Sequence, residues 1–568
     1  MPERARTPVA LGGVLVLCVG VPMLVAAIEG ALDVPRNDAF AYSRIAEVFE
    51  HTGSFEPIAY GRMLLIGHIL WGQPYLWLID DRELAGNVAG IVASGLAVVA
   101  FFFLVKRLTD LATAVKALLV FGAFQGIALT VPTYMTEPTA LALDAVAVLA
   151  AVVALDRRRR SAMVYIVAAY AACVASFAVR EFAVAILVAI AAVVTWKRRD
   201  LRLFAAAAGV VALVACGLLY VWHSSLPGLE PSELELNPGG VARTAPGFVT
   251  LGLGLLPLTL GPAIRLVLAP RGRRLTLLGA FVGGLAAVIA VTRPNFNPAL
   301  GRSTLADDIY ARPGASGDAL AQGARPDLLP DWAWAVLQVL GVLGSISLGI
   351  VLLAYVGRRI ADDRARVSAA ILLLEAVTLA YGAEIAFFGI FGPLFNDRYL
   401  WPLVPLAAVL AARLDEPAPS PLAAGTRHAP RSARLAPAAS LVALAFFAVT
   451  YMQDSAAYDA ARWRAGNDLV SRGIPPSHID AGLEWSGAHS TQPRDIDAHM
   501  GRPVTTEDPF YIGFWAPAFR CFVVSNERLD PRRFDLVATE TYRSRLWTAE
   551  RTLWVLRRRA APSCAAPS

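Results

Sequence analysis

The sequence predicts an all-α polytopic membrane protein of about thirteen transmembrane helices, followed by a small α/β domain outside the cytoplasm. Three observations predict this architecture. Of the 568 residues, 56% are hydrophobic and 17% are charged, whereas an average globular chain has about 25% charged residues. Apolar stretches long enough to cross a hydrocarbon layer of about 30 Å recur over residues 1–451. Basic residues cluster at every second connection between these stretches.

The first span is Val9–Ile28, which Arg4 and Arg6 precede. A secretory signal has a shorter apolar core of about 7–15 residues, so we expect this segment to remain as an uncleaved helix. Because basic residues of short loops stay on the cytoplasmic side, the N-terminus is predicted to lie inside. An acidic stretch then begins the first outer loop, residues 33–83.

The other apolar stretches can be assigned alternate directions across the membrane, and each assignment agrees with the positions of the basic residues. They lie at residues 84–105, 111–131, 140–155, 162–179, 182–196, 203–222, 248–268, 275–291, 332–356, 367–390, 400–412 and 436–449. Every connection predicted to be cytoplasmic carries Lys or Arg, within residues 106–107, 157–160, 197–199, 271–274, 358–366 and 413–434. The longest connection, residues 293–331, is therefore predicted outside. Abundant alanine and arginine indicate a bacterium, and hence its inner (plasma) membrane.

Residues 452–568 form the second predicted domain, which is polar and contains no spanning segment. A helix is predicted over Ala457–Arg472, ending at Gly473 and Pro475. Short strands are predicted at Cys521–Ser525, Asp535–Ala538 and Thr552–Leu556. The alternation of spans places this domain on the periplasmic or extracellular side.

Two cysteines, Cys521 and Cys564, fall in this domain, where disulfides can persist. A bridge would close a loop of about forty residues and stabilise the domain by roughly 3–4 kcal/mol in the chain-entropy model. Two free thiols are the alternative, because Cys564 lies in an Ala/Pro/Ser-rich tail.

Charge and motif content exclude several functions. The formal charge of +6 resides at the ends of spans, where orientation requires it, so nucleic-acid binding is not indicated. The sequence has no glycine-rich nucleotide loop, Walker signature, HExxH or CxxC motif, and no cofactor is predicted. His68, His223 and His489 are too scattered to predict a metal site. A group transferred by this protein must therefore come from another kind of donor, such as a lipid.

Asp38 is the first candidate functional residue, because acids at membrane depth mark functional sites. It precedes a helical stretch, where an N-cap role alone could explain it. The loop continues through Tyr60-Gly61-Arg62 to the apolar stretch ending near Trp77. These segments are predicted to be interfacial helices that cover a cavity over Asp38.

Glu137 opens the fourth predicted span within Thr136-Glu137-Pro138, and Asp144 follows seven residues later on the same helix face. A carboxylate in a first turn favours the helix dipole, which is the alternative role for Glu137. The helix dipole accounts for Glu137 alone. A second acid, Asp144, on the same face of the helix therefore indicates a functional use.

Arg180-Glu181 and Asp397-Arg398-Tyr399 stand at outer ends of predicted helices. Both arginines suit a phosphate, because a guanidinium donates in a fork. An ion pair is the alternative role for Arg180 and Glu181, and an interfacial anchor is the alternative for Tyr399. Glu375 and Glu384 are acids of the eleventh span with no partner that the sequence identifies.

These residues resemble those of the C-type integral membrane glycosyltransferases, which include protein O-mannosyltransferases and the aminoarabinose transferases of lipid A. The similar segments are Asn37-Asp38-Ala39-Phe40-Ala41-Tyr42, Thr136-Glu137-Pro138, Asp397-Arg398-Tyr399 and the tail segment from Ile479 to Gly487. Many members carry paired acids in the first loop where this chain has Asn37-Asp38, so no metal is expected.

The resemblance implies transfer of a sugar from a polyprenyl-phosphate donor to an envelope glycan, lipid or protein on the outer face. Asp38 is implied as the catalytic base that accepts the proton of the acceptor hydroxyl. Substrate binding is implied for the remaining candidates, Glu137, Arg180, Glu181, Asp397, Arg398 and Tyr399. A transporter or lipid flippase remains the first alternative, with Glu375 as its best-placed residue, and a non-catalytic envelope assembly protein is the second.

Overall fold

The architecture was determined as a computed structural model that describes most of the chain. The described residues are 3–57, 63–226, 240–269, 273–292, 326–361, 368–391, 397–415, 431–489, 521–543 and 550–559. The Tyr60-Gly61-Arg62 segment, residues 293–325 of the long predicted outer loop, and Cys564 lie outside them. Cys521 is disulfide-bonded.

Most of the described residues are helical. The helices are α1 (Glu3–Leu15), continuous through a π-helical turn (Val16–Gly20) with α2 (Val21–Glu29), α3 (Ala39–Thr52), α4 (Ile66–Leu76), α5 (Arg82–Leu108), α6 (Leu111–Ala123), α7 (Gln125–Thr130), α8 (Thr136–Asp156), α9 (Arg159–Phe177), α10 (Ala183–Lys197), α11 (Arg202–Ser224), α12 (Gly240–Leu268), α13 (Arg273–Thr292), α14 (Asp331–Ala361), α15 (Ala369–Phe391), α16 (Leu403–Asp415), α17 (Arg431–Ser471) and α18 (Leu483–Ala488).

Ten helices among the described residues are long and apolar enough to cross a membrane, and α6 and α10 are shorter apolar helices. The predicted multi-pass helical fold is therefore confirmed. Each predicted span falls on a helix or a pair of helices, but the number thirteen is not confirmed. The predicted span 111–131, for example, breaks at Phe124, whose extended backbone (ψ 116°) separates α6 from α7.

Buried polar side chains align the outer connections with one another. Asn87 of α5 donates to the backbone oxygens of Leu32 (2.8 Å) and Val34 (3.3 Å), and accepts from the backbone N–H of Tyr134 (2.9 Å). The amide of Asn87 is 1% exposed, so its hydrogen bonds are protected from water. Asn87 thereby holds the start of the first outer loop next to the turn that precedes α8.

The C-terminal part has a four-stranded sheet of β1 (Ile479–Asp480), β2 (Phe522–Ser525), β3 (Phe534–Arg543) and β4 (Glu550–Arg558) in the order β1-β2-β4-β3. The β1–β2 pair is parallel and the others are antiparallel. The three predicted strands are confirmed: β2 begins one residue after its predicted start, and β3 and β4 extend beyond their predicted bounds at both ends. The last span and the predicted helix at 457–472 are one helix, α17, because no glycine or proline occurs between Ala438 and Ala465.

Candidate functional site

Asp38 lies at the N-cap position of α3, yet its side chain makes no capping hydrogen bond. Its Oδ2 lies 3.2 Å from Nη2 of Arg398 and accepts a hydrogen bond from the Tyr42 hydroxyl at 3.4 Å. The capping role that the sequence left open is therefore not the role of this side chain.

Glu137 occupies the first turn of α8, where its carboxylate is 4% exposed. Its Oε1 is shared between two guanidiniums, Nη2 of Arg180 at 2.5 Å and Nε of Arg398 at 3.3 Å. Placing an acid at a helix N-terminus is favourable by itself. The two arginines add a much stronger reason, because they compensate a charge that is removed from water.

Arg180 stands in the connection between α9 and α10 and uses its fork in two directions. Its Nε donates to Thr136 Oγ1 at 2.6 Å while Nη2 pairs with Glu137. Its guanidinium carbon also lies 5.5 Å from the centroid of the Tyr399 ring, within the range of a cation–π contact. Tyr399 is the residue that follows Arg398, so this contact brings Arg180 next to the segment that carries Arg398.

Asp38, Arg398, Glu137 and Arg180 thus form a row of alternating charge, which we call the charge row. The four residues are 8%, 6%, 4% and 5% exposed, respectively. Formally, two carboxylates balance two guanidiniums, so burial leaves no net charge to be neutralised. The row is built from four segments that are distant in the chain, and its hydrogen-bond geometry holds the side chains in place.

A cavity extends from the charge row into the helix bundle. Glu137, Arg180 and Arg398 line one end of it, and Asp144 lines it further along α8. Seven residues of helix separate the two acids, so Asp144 lies about 10 Å deeper. Asp144 Oδ1 has no hydrogen-bond partner within the described ranges. The remaining wall is mainly apolar and aromatic, formed by Ala140, Leu141, Phe182, Ala183, Tyr381, Tyr399 and Pro402.

Other residues singled out in the sequence have different partners. Glu181 turns away from Arg180, and its Oε1 accepts the backbone N–H of Leu64 at 3.0 Å; burial raises the pKa of this carboxyl. Glu375 forms an ion pair with Arg359 at 2.6 Å. The side chain of Asp397 lies outside the described part of the chain.

Two residues near the charge row, Tyr42 and His68, were not predicted as site residues. Tyr42 could have been found, because it stands four residues after Asp38 on a helix and such residues face each other. His68 could not, since it comes from another helix, α4. Its Nδ1 lies 3.1 Å from Thr139 Oγ1, and its ring stacks on Tyr134 at 4.1 Å. Burial lowers the pKa of this imidazole to about 3, so the ring is neutral.

The cations of the charge row are the guanidiniums of Arg180 and Arg398. Within the ranges the structure covers, no three side chains of His, Cys, Asp or Glu are grouped so that they could hold a metal ion. Arg180 and Arg398 are cationic groups that can face an anion here.

No family model matches the chain, and no curated protein matches it. Solved structures with a similar chain path are ArnT from Cupriavidus metallidurans bound to undecaprenyl phosphate (TM-score 0.43, 15% identity) and the same protein in the apo state (TM-score 0.42, 15% identity). Both alignments cover 98% of this chain and 99% of ArnT. The archaeal oligosaccharyltransferase AglB from Archaeoglobus fulgidus, in complex with an inhibitory peptide and a dolichol-phosphate, aligns at a TM-score of 0.40 and 13% identity, covering 89% of this chain and 69% of AglB. At these TM-scores, function has to be inferred from the residues of this chain.

Proposed function

We propose that this protein is a membrane glycosyltransferase that moves a sugar from a polyprenyl-phosphate donor to a hydroxyl of an envelope acceptor on the outer face. The observation that carries the proposal is the charge row. It sets a carboxylate, Asp38, directly beside a guanidinium, Arg398, with a second guanidinium, Arg180, two positions further along. A general base next to a cationic phosphate site is the minimum machinery for this reaction.

The donor class follows from how a substrate can reach the row. The site lies among apolar helices, and the sequence has no nucleotide-binding loop. A lipid-linked phosphate can enter from the bilayer, and Arg180 and Arg398 offer forked donors for it. Undecaprenyl phosphate is bound in the ArnT structure and a dolichol-phosphate in the AglB structure. The same chemical class suits the arginines and the apolar wall of this site.

The proposed step is a displacement at the anomeric carbon of the donor sugar. The acceptor oxygen forms a bond to that carbon while the bond from carbon to phosphate oxygen breaks. The electron pair of that bond leaves on the polyprenyl phosphate, and the proton of the acceptor hydroxyl passes to Asp38. Arg398 and Arg180 stabilise the charge that grows on the leaving phosphate.

Substrate binding rearranges the contacts of Arg398 in this mechanism. Without donor, its Nη2 pairs with Asp38 and its Nε with Glu137. A phosphate that enters competes for the same donors, which releases Asp38 to face the acceptor hydroxyl. Tyr42 still holds the Asp38 carboxylate through its hydroxyl, so the released side chain keeps its orientation.

The orientation proposed is a cytoplasmic N-terminus with the charge row and the C-terminal domain on the outer side. The basic connections support it, because the positive-inside rule depends on Lys and Arg in short loops. Arg157 to Arg160 precede or open α9 at the end away from Arg180. The outer position places the acceptor in the cell envelope, as a glycan, lipid or protein.

The transporter alternative loses its best-placed residue, since Glu375 is held by Arg359 and by the Tyr355 hydroxyl at 2.5 Å. A carboxylate that is already paired in this way is not available to bind a transported substrate. The charge row itself lies at one end of α8, since its acid Glu137 stands in the first turn and Asp38 is joined to it through Arg398. This position supports chemistry at a surface over passage through the bundle.

The experiment is transfer by the purified protein in liposomes that contain radiolabelled polyprenyl-phosphate sugars, with an envelope extract as acceptor. We expect label to move from lipid to acceptor with the wild-type chain and not with Asp38→Asn. Movement of the intact lipid between leaflets without transfer would establish the flippase alternative. Equal transfer by both chains would remove Asp38 as the base.

A further inference from the structure

The short helix α18 of the C-terminal part lies against α3, the helix that begins at Asp38. Gly487 is the point of closest approach. A Cβ atom built on Gly487 would overlap the ring of Phe40, which is 1% exposed and stands two residues after Asp38. Only glycine allows this approach, so the position of α18 and the position of α3 depend on each other.

The first turn of α18 is attached to α17 by buried charges. Arg462 Nη2 lies 2.9 Å from Glu484 on α18 and 2.9 Å from Asp459 on its own helix. The three side chains are 1–5% exposed. The Arg462 guanidinium also lies 4.9 Å from the centroid of the Tyr458 ring. Such a network is rigid as long as every member is present.

The far end of α18 is attached to α3 a second time. Arg82 donates through Nη2 to the backbone oxygen of Ala488 at 3.3 Å, and its Nη1 pairs with Glu47 of α3 at 2.6 Å. On the other side of Asp38, the buried Arg36 has its Nε 4.0 Å from Asp459. The segment that bears Asp38 is thus held by α17 before it and by α18 after it.

Trp485 secures α18 in this place. Its side chain is fully buried between Trp463, at 4.9 Å between ring centroids, and His489, at 4.1 Å. The indole N–H donates to the backbone oxygen of Pro476 at 3.3 Å. A large aromatic ring packed on three sides leaves a helix of this length little freedom to shift.

We propose that α18 is a positioning element for Asp38, and that contact between Gly487 and Phe40 transmits its position to the base. The proposal rests on the proposed role of Asp38. Gly487 and Phe40 are not members of the charge row, and both act on Asp38 through the backbone of α3. The C-terminal domain would then be required for the rate of transfer and not for donor binding.

The test crowds this contact and then relieves it. Gly487→Ala should lower kcat by roughly ten- to hundredfold, because a displacement of about 1 Å can cost that much. The KM for the donor should stay within about threefold, since Arg180 and Arg398 are not disturbed. Adding Phe40→Leu removes the ring that the new methyl group meets, and the double variant should regain most of the lost rate. Gly217→Ala, on α11 with no atom within 4 Å of its Cβ, is the matched control and should transfer at the wild-type rate.

The proposal is overturned if folded Gly487→Ala transfers at the wild-type rate, or if its lost rate is not regained by Phe40→Leu. A lower melting temperature with an unchanged kcat would also overturn it, because α18 would then be structural only. If Gly487→Ala does not fold, Phe40→Ala opens the same contact without crowding, and a normal kcat in that variant would count equally against the proposal. Failure of the proposed function is a separate result, namely an active Asp38→Asn.

Discussion

Arg398 places its Nη2 3.2 Å from Oδ2 of Asp38, although 360 residues separate them in the chain. This contact gives Asp38 a role other than that of a helix cap. The same guanidinium lies 3.3 Å from Glu137 through Nε, so one side chain joins the start of α3, the start of α8 and the segment before α16.

Asp38→Ala should abolish transfer in protein that still folds, because Arg398 keeps its ion pair with Glu137. Loss of a general base lowers a rate by about 10²–10⁴, and no cap hydrogen bond is lost with this side chain. Asp81 is the matched control, because it does cap a helix by accepting the N–H of Leu84 at 2.8 Å. Asp81→Ala should cost about 1 kcal/mol of stability and keep its kcat. Transfer rates and melting temperatures of both variants measure this, and an active Asp38→Ala would contradict it.

Arg180→Lys and Arg398→Lys should raise the KM for the donor more than they lower kcat at saturation. Lysine keeps the charge but cannot donate in a fork, and a lost charge-assisted hydrogen bond costs about 1.5–3 kcal/mol, or roughly ten- to hundredfold in affinity. Binding of undecaprenyl phosphate alone should weaken in parallel. Wild-type affinity in both variants would show that the arginines serve only the ion pairs.

Glu137→Gln should destabilise the protein more than Arg180→Gln. Removal of the acid takes away the carboxylate that Arg180 and Arg398 share and leaves the row with two guanidiniums and one carboxylate, Asp38, whereas removal of Arg180 leaves Glu137 still paired with Arg398. Breaking a buried pair costs about 3–5 kcal/mol. The exposed pair Arg472–Asp468 is the control, and Asp468→Asn should cost no more than about 1 kcal/mol. Unfolding in detergent ranks the three variants, and equal losses at Glu137 and Asp468 would contradict the burial argument.

Stability should fall as the pH is lowered below about 6.5, in part through His68. Burial lowers the pKa of this imidazole to about 3, so the unfolded chain takes up a proton before the folded chain does. The stabilising effect of the neutral ring is therefore complete above the unfolded pKa and is lost between pH 6.5 and 3, at about 1.4 kcal/mol per pH unit. His68→Gln should flatten this part of the profile of melting temperature against pH. His51→Gln, at an exposed position, should leave it unchanged, and equal profiles for wild type and His68→Gln would exclude this contribution.

Labelling of cysteines in intact cells tests the proposed orientation. A cysteine at the exposed position of Arg543 should react with an impermeant thiol reagent, and one at the exposed position of Arg160 should react only after the membrane is opened. The native thiols of Cys18, Cys173 and Cys216 are buried and should add little background. Reaction at Arg160→Cys in intact cells would reverse the assignment.

The sequence by itself determined the elements that local chemistry controls. Apolar stretches of sufficient length become helices in a membrane because the backbone has no other way to satisfy its hydrogen bonds there. The predicted helices and the three C-terminal strands were therefore found nearly where the pattern placed them. The same rule ended the last span at residue 449, whereas α17 continues to Ser471, because a helix with no breaking residue continues past the membrane as readily as it stops there.

The sequence also identified most of the charges that matter, since Asp38, Glu137, Arg180 and Arg398 are costly at membrane depth unless they serve a purpose. It could not determine how they pair. Arg180 stands beside Glu181 in the chain but bonds to Glu137, and Glu181 bonds to the backbone of Leu64 instead.

Only the tertiary structure decided those partners, together with the contact of α18 with α3. Side-chain pairing depends on which helices pack together and at what rotation, and these are set by the sum of many small packing energies over the whole bundle. Residue spacing along one helix carries no information on that sum. The charge row, drawn from four distant segments, therefore exists as a site only once the helices have packed.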